Sequence, residues 1–169
     1  MENLKRISII GPNGSGKTTL ARVLAKKLDL PIIHVDSYIW GKNWTLNDRN
    51  ETENKIKTTL SREEKWIADG YITYAPKEML EMSDLVIYLN YTNIRSVFYN
   101  IKRWIKHRKN KREELPEGCE EQLKLKSLYQ VFQGGVVHLI EDAIKTYPPD
   151  NLIRIKSPSK LKKYLRENY

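Results

Sequence analysis

The run Gly11-Pro12-Asn13-Gly14-Ser15-Gly16-Lys17-Thr18 constrains this chain more than any other feature. It meets the Gly-x-x-x-x-Gly-Lys-Thr pattern in full, and the pattern comes in its proper setting. Leu4 to Ile10 before it reads as a short apolar strand. Thr19 to Leu28 after it carries Leu20, Val23, Leu24 and Leu28 at the spacing of a core-facing helix. Glycines let the backbone turn sharply between the two and gather its N–H groups, and the helix adds the positive end of its dipole. Such a nest of donors suits phosphate. Gly11, Pro12, Asn13, Gly14, Ser15, Gly16, Lys17, Thr18 and Thr19 are therefore expected to cradle ATP. Lys17 is expected to reach the β- and γ-phosphates, and Thr18 to hold Mg²⁺ through its hydroxyl.

The rest of the chain alternates strands with helices. Pro31 breaks the first helix, and residues 31–35 form a nearly all-apolar strand with Asp36 at its end. A helix from Asp48 to Glu64 has only a thin stripe, Ile56 and Leu60, and reads as peripheral. Trp66 to Ala68 is a short strand ending at Asp69-Gly70. A short helix over Pro76 to Met82 precedes a strand over Leu85 to Leu89. Thr92 can cap a helix to Arg108 whose apolar face is Ile94, Val97, Phe98, Ile101, Trp104 and Ile105. Residues 109–118 read as a loop, and Glu120 to Tyr147 as a helix with a break at Gly134-Gly135. Leu152 to Ile155 is a last strand, followed by a basic helix begun by Ser157 or Ser159. This order predicts one α/β domain over residues 1–169, a mostly parallel sheet with helices on both faces, hence three layers. Ligands of such sheets sit at the carboxyl ends of the strands, where Gly11, Asp36, Asp69 and Asn90 fall.

Two aspartates and a group of arginines complete the candidate site. Asp69 follows an apolar strand, as the second Mg²⁺-associated carboxylate of P-loop proteins does; an ordinary turn aspartate is the other reading. Asp36 is placed to take a proton from an acceptor hydroxyl or to help hold Mg²⁺; a turn or cap residue is its other reading. His34, inside the strand, reads as a satisfied, partly buried histidine. Phosphoryl transfer needs positive charge over the transferring oxygens. Arg103, Arg108 and Arg112 lie where a mobile lid is expected, over about residues 103–119. Tyr38, Trp40, Trp44, Tyr71 and Tyr74 flank the aspartates, for stacking on a ring or for packing.

Composition narrows the class further. The single cysteine, Cys119, excludes an intramolecular disulfide and a cysteine metal cluster. No apolar run is long enough to span a bilayer, so a cytoplasmic location is expected. The formal charge of +9 favours anionic partners without choosing among them, and non-specific nucleic-acid binding through phosphates stays open. The absence of Asn-Lys-x-Asp argues against guanine recognition.

Gly11 to Thr18, His34-Val35-Asp36 followed by Tyr38 and Trp40, Asp69-Gly70-Tyr71, the arginine-rich stretch and Glu117-Gly118-Cys119 occur in one order. In this the chain resembles the adenylate-kinase-like P-loop proteins of the DNA topology modulation group, over nearly its whole length. The resemblance implies a nucleoside-monophosphate-kinase fold with a five-stranded parallel sheet in the order 2-3-1-4-5 and a short arginine-rich lid. It also implies ATP with Mg²⁺, and adenine contacts near Lys156 to Pro158. True adenylate kinases carry Asp-Gly-Phe-Pro-Arg where this chain has Asp69-Gly70-Tyr71-Ile72-Thr73, so the arginine that grips an acceptor phosphate is missing there. The expected activity is transfer of the γ-phosphoryl of ATP to a nucleotide, nucleoside or other small hydroxyl acceptor. The alternative is an ATP-binding, nucleic-acid-associated regulator.

Overall fold

The computed structural model describes residues 4–91, 93–107, 116, 118, 119, 129 and 136–169. Five strands form one sheet: β1 (Arg6–Ile10), β2 (Ile32–His34), β3 (Trp66–Asp69), β4 (Leu85–Leu89) and β5 (Leu152–Ile155). Every pairing is parallel, and the order is β2-β3-β1-β4-β5, as the resemblance implied. The register places Ile9 beside Asp69 and His34 beside Asp69, so the ends of β1, β2 and β3 stop at nearly one level.

Strand pleat separates two apolar clusters. Ile7 and Ile9 of β1 join Ile67, Leu85, Ile87 and Leu89 on one face, under α1 (Lys17–Leu28) and the C-terminal helix. Ile10, Ala68, Val86 and Tyr88 point the other way. There they meet α3 (Arg49–Arg62) and α4 (Pro76–Glu81), with α2 (Asp36–Ile39) at one side. The remaining described helices are α5 (Asn93–His107), α6 (Val137–Thr146) on the second face, and α7 (Pro158–Asn168) on the first. Helix starts follow their side chains. Asp48 accepts from Glu51 N at 2.9 Å to open α3, and Ser157 accepts from Lys160 N at 3.3 Å to open α7, with Pro158 in the first turn.

Three expectations change. The helix over residues 48–64 is not peripheral: Ile56 and Leu60 are fully buried, and Thr52 is buried with them. Two such side chains contribute about 1.5–3 kcal/mol each by burial, which a narrow stripe can supply when it points straight into the core. The second strand ends at His34 rather than reaching Asp36, because Val35 has helical torsions (φ −57°, ψ −37°). Asp36 thus opens the one-turn helix α2 instead of closing a strand. Among the described side chains of α5 the buried positions are Ser96 and Asn100, whereas Phe98 and Ile105 are exposed. The predicted loop 109–118 and helix 120–147 lie outside the described residues except for 116, 118, 119, 129 and the part from 136 onward.

Candidate active site

The P-loop leaves the carboxyl end of β1 and enters α1, which starts at Lys17. Lys17 is buried, and its Nζ donates to Gly11 O at 2.9 Å and Pro12 O at 3.1 Å. The loop is further tied by Ser15 N donating to Pro12 O at 3.2 Å. Ser15 Oγ is buried and has no hydrogen-bond partner among the described residues. An unpaired buried hydroxyl costs about 1–3 kcal/mol, so this loop carries an unused donor.

Asp69, at the end of β3, is the hub of the site. It is only 3% exposed. Its Oδ2 accepts from the Thr18 hydroxyl at 2.7 Å, and its Oδ1 accepts from His34 Nδ1 at 2.5 Å. A carboxylate has no proton to give, so the imidazole donates at Nδ1. β2 and β3 set this geometry by pairing His34 with Asp69 in register. The sequence predicts a satisfied, partly buried histidine at position 34, and its partner is Asp69, a candidate residue of the crevice.

Asp36 lies one strand further out. Its Oδ1 accepts from Tyr71 N at 3.1 Å. The chain can wrap the carboxylate this closely because residue 70 is glycine. Gly70 has φ +138°, and a Cβ there would stand 2.8 Å from Asp36 Oδ1 and 2.8 Å from Val35 Cβ. Burial raises the Tyr71 phenol pKa, and the nearby Asp36 charge adds to the rise. Trp40 and Trp44 meet edge to face with ring centroids 5.2 Å apart, just beyond α2. The buried Cys119 holds this segment: Trp44 N donates to its Sγ at 3.3 Å, and Sγ–H donates to Gly41 O at 3.2 Å.

The structure therefore brings Gly11 to Thr19, Asp69 and Asp36 to neighbouring strand ends in the order β2-β3-β1. Of the predicted arginines, Arg103 lies on α5 with its side chain outside the described residues, and Arg108 and Arg112 lie outside them altogether. Sequence reasoning missed Asn100, whose Nδ2 donates to Asn13 O at 2.9 Å and to Ser96 O at 2.8 Å. The signal was there: a serine and an asparagine four residues apart on a strongly amphipathic helix.

Sheet order and site together define a P-loop protein of the kinase-like α/β type. Residues 1–124 match the family model described as ABC transporter, and the chain belongs to that family through this P-loop segment. A shikimate kinase from Psychrobacter arcticus is 28% identical over 104 residues, 53% of this chain and 56% of that protein. Threonine synthase-like 1 from Mus musculus is 46% identical over 43 residues, 25% of this chain and 6% of that protein. The chain thus spans little of the second relative and about half of the first. Among solved structures, shikimate kinase from Acinetobacter baumannii in complex with shikimate has a TM-score of 0.56 at 19% identity, covering 99% of this chain and 96% of that one. Deoxyadenosine kinase from M. mycoides with bound dATP has a TM-score of 0.54 at 14% identity, covering 96% of this chain and 98% of that one. These two share the fold. Among the described residues no helix is long and apolar enough to cross a membrane.

Proposed function

We propose that the protein is an ATP-dependent phosphotransferase that moves the γ-phosphoryl group to a hydroxyl or phosphate oxygen of a small acceptor. What supports this reading is that Asp69 at the end of β3, bonded to Thr18 of the P-loop helix, and Asp36, which opens α2 just past β2, follow strands that neighbour each other in the order β2-β3-β1. The buried Ser15 hydroxyl, without a partner among the described residues, fits a ligand rich in oxygen acceptors. Thr18 and Asp69 offer a hydroxyl and a carboxylate 2.7 Å apart, hard oxygen donors of the kind Mg²⁺ takes beside substrate phosphates. When bound there, Mg²⁺ would neutralise charge developing on the phosphate oxygens.

The residues divide the work. The P-loop and Lys17 bind and orient the phosphates. Asp36 orients a hydroxyl acceptor and takes its proton as the acceptor oxygen bonds to phosphorus and the bridging oxygen leaves with ADP. Arg103, Arg108 and Arg112 are proposed to cover the transferring group from the lid, approximately residues 103–119. Asp36 and the missing adenylate-kinase arginine favour a hydroxyl acceptor over AMP. Membership of the adenylate-kinase-like DNA topology modulation group belongs to this same proposal. The reading as a nucleic-acid-associated regulator is left with the net charge of +9 and the two basic stretches, Lys102 to Arg112 and Arg154 to Arg166, as its support.

The test is ADP formation from ATP and Mg²⁺ across nucleosides, nucleoside monophosphates and small hydroxyl compounds. Acceptor-dependent ADP release is expected, falling by about 10³-fold in Lys17→Ala. ATP binding without acceptor-dependent release, or release that survives in Lys17→Ala, would count against the proposal.

A further inference from the structure

Among the described residues, the side chain of Asn100 joins α5 to the P-loop. Asn100 is 9% exposed, and its amide nitrogen serves two carbonyls at once, Asn13 O at 2.9 Å and Ser96 O at 2.8 Å. Two carbonyl partners settle the amide's orientation, because only N–H can satisfy both. The approach is close enough to restrict the loop. A Cβ on Gly14 would stand 2.4 Å from Asn100 Nδ2 and 2.6 Å from Ser96 O. Ser96 is fully buried, and its Oγ has no partner among the described residues, so this patch of α5 is polar where the loop meets it.

The peptide plane turns this contact into a consequence for phosphate. Asn13 C=O and Gly14 N–H belong to one peptide unit, and the chain has no cis peptide bonds among the described residues. In a trans unit the two groups point in opposite directions. Holding Asn13 O against α5 therefore turns Gly14 N–H away from the helix.

We infer that Asn100 is a positioning residue for the phosphate cradle: it fixes the Asn13–Gly14 peptide so that Gly14 N–H is presented to a nucleotide phosphate, and so ties nucleotide affinity to the seating of α5. This rests on the P-loop reading given above. Asn100 acts through the loop and need not touch the ligand. The same helix carries Lys102 and Arg103, where the basic stretch of the sequence begins.

The experiment is calorimetric titration of the full chain with MgATP and, separately, with tripolyphosphate, for wild type, Asn100→Ala and Asn100→Asp. Thermal midpoints are recorded without ligand. The expected result is a Kd about tenfold higher for both ligands in Asn100→Ala. A larger rise is expected in Asn100→Asp, which has the same shape but sets a carboxylate against two carbonyls. Midpoints should stay within a few degrees of wild type. Asn100→Ser, which keeps a shorter donor, should fall between. Unchanged affinity in Asn100→Ala and Asn100→Asp, with wild type binding normally, overturns this inference and leaves the kinase reading standing. Failure of wild type to bind either ligand overturns both. Variants that lose their fold, Asn100→Ser included, make the residue a structural one and also overturn it.

Discussion

The Thr18 hydroxyl donates to Asp69 Oδ2 across 2.7 Å, joining the first turn of α1 to the end of β3. The same carboxylate accepts from His34 at 2.5 Å, so three elements converge on one buried acid. Asp69→Asn keeps the shape but replaces one acceptor oxygen with a donor, so one of the two partners, Thr18 or His34, loses its acceptor, and the carboxylate charge is lost. Activity is expected to fall by about 10–100-fold with a rightward shift in Mg²⁺ dependence. Measuring rate against Mg²⁺ concentration checks this. An unshifted Mg²⁺ profile would remove Asp69 from the metal role.

Asp36 is predicted to act on the acceptor and not on ATP. Asp36→Asn preserves an oxygen for Tyr71 N, which Asp36 Oδ1 now holds at 3.1 Å. Loss of the proton acceptor should lower kcat by about 10²-fold, within the usual range for a general base. The Kd for ATP, read by titration without acceptor, should change less than about twofold, as expected for a group that makes no contact with it. A large loss of ATP affinity would instead place Asp36 with the nucleotide.

The helix first read as peripheral yields a stability prediction. Leu60 is fully buried against the sheet, together with Ile56. Leu60→Ala should cost about 2–5 kcal/mol in urea or thermal unfolding. A surface position would lose no more than about 0.5 kcal/mol, so a small effect would return α3 to the periphery.

How far the sequence could be read follows from what each segment packs against. β4, Leu85 to Leu89, is buried at every position, and an apolar run is the direct trace of that. The loop from Gly11 to Thr18 was legible because a backbone that must present N–H groups needs glycines at fixed places. α5 forms where the sequence places a helix, but its inward positions were not legible, for the opposite reason. The periodicity rule finds methyl-bearing faces, whereas the inward position Asn100 meets P-loop backbone, the Asn13 carbonyl, which asks for a donor. The second strand reads as running through Val35 to Asp36 at its end, because nothing in Val35-Asp36 announces the helical torsions that end β2 at His34. The link between Cys119 and Trp44 spans a sequence separation of 75 residues, beyond any local pattern.

That link gives a chemical prediction. Cys119 is 1% exposed, with its sulfur engaged by Trp44 N and Gly41 O. Its thiol should react with a disulfide reagent at least roughly 100-fold more slowly in the native protein than in denaturant, as a local opening free energy of about 2.7 kcal/mol gives. Native reaction at the denatured rate would mean that Cys119 does not rest on the Trp40–Trp44 segment. A slow rate that quickens only with denaturant would match the buried contact.

Tyr88 supplies a pH dependence whose sign can be worked out. Its phenol is pushed from the ordinary 10.0 up to about 12, first by burial and then by the nearby Glu141 carboxylate, against a smaller opposing effect of Arg154. The Arg154 guanidinium sits 5.2 Å from the centroid of the Tyr88 ring and pairs with Glu141 at 2.6 Å. Between those two pH values the unfolded chain has lost the phenolic proton and the folded chain still holds it. Unfolding then releases a proton, and rising pH favours it. This contribution is fully present below pH 10.0 and lost as pH climbs through about 12. Tyr88→Phe has no proton to lose. The difference in unfolding free energy between wild type and Tyr88→Phe should therefore be flat below pH 10 and shift against wild type above it. Parallel urea titrations of the two proteins from pH 8 upward read this directly. A difference that stays constant through the alkaline range would show that the phenol titrates alike in the folded and unfolded chains.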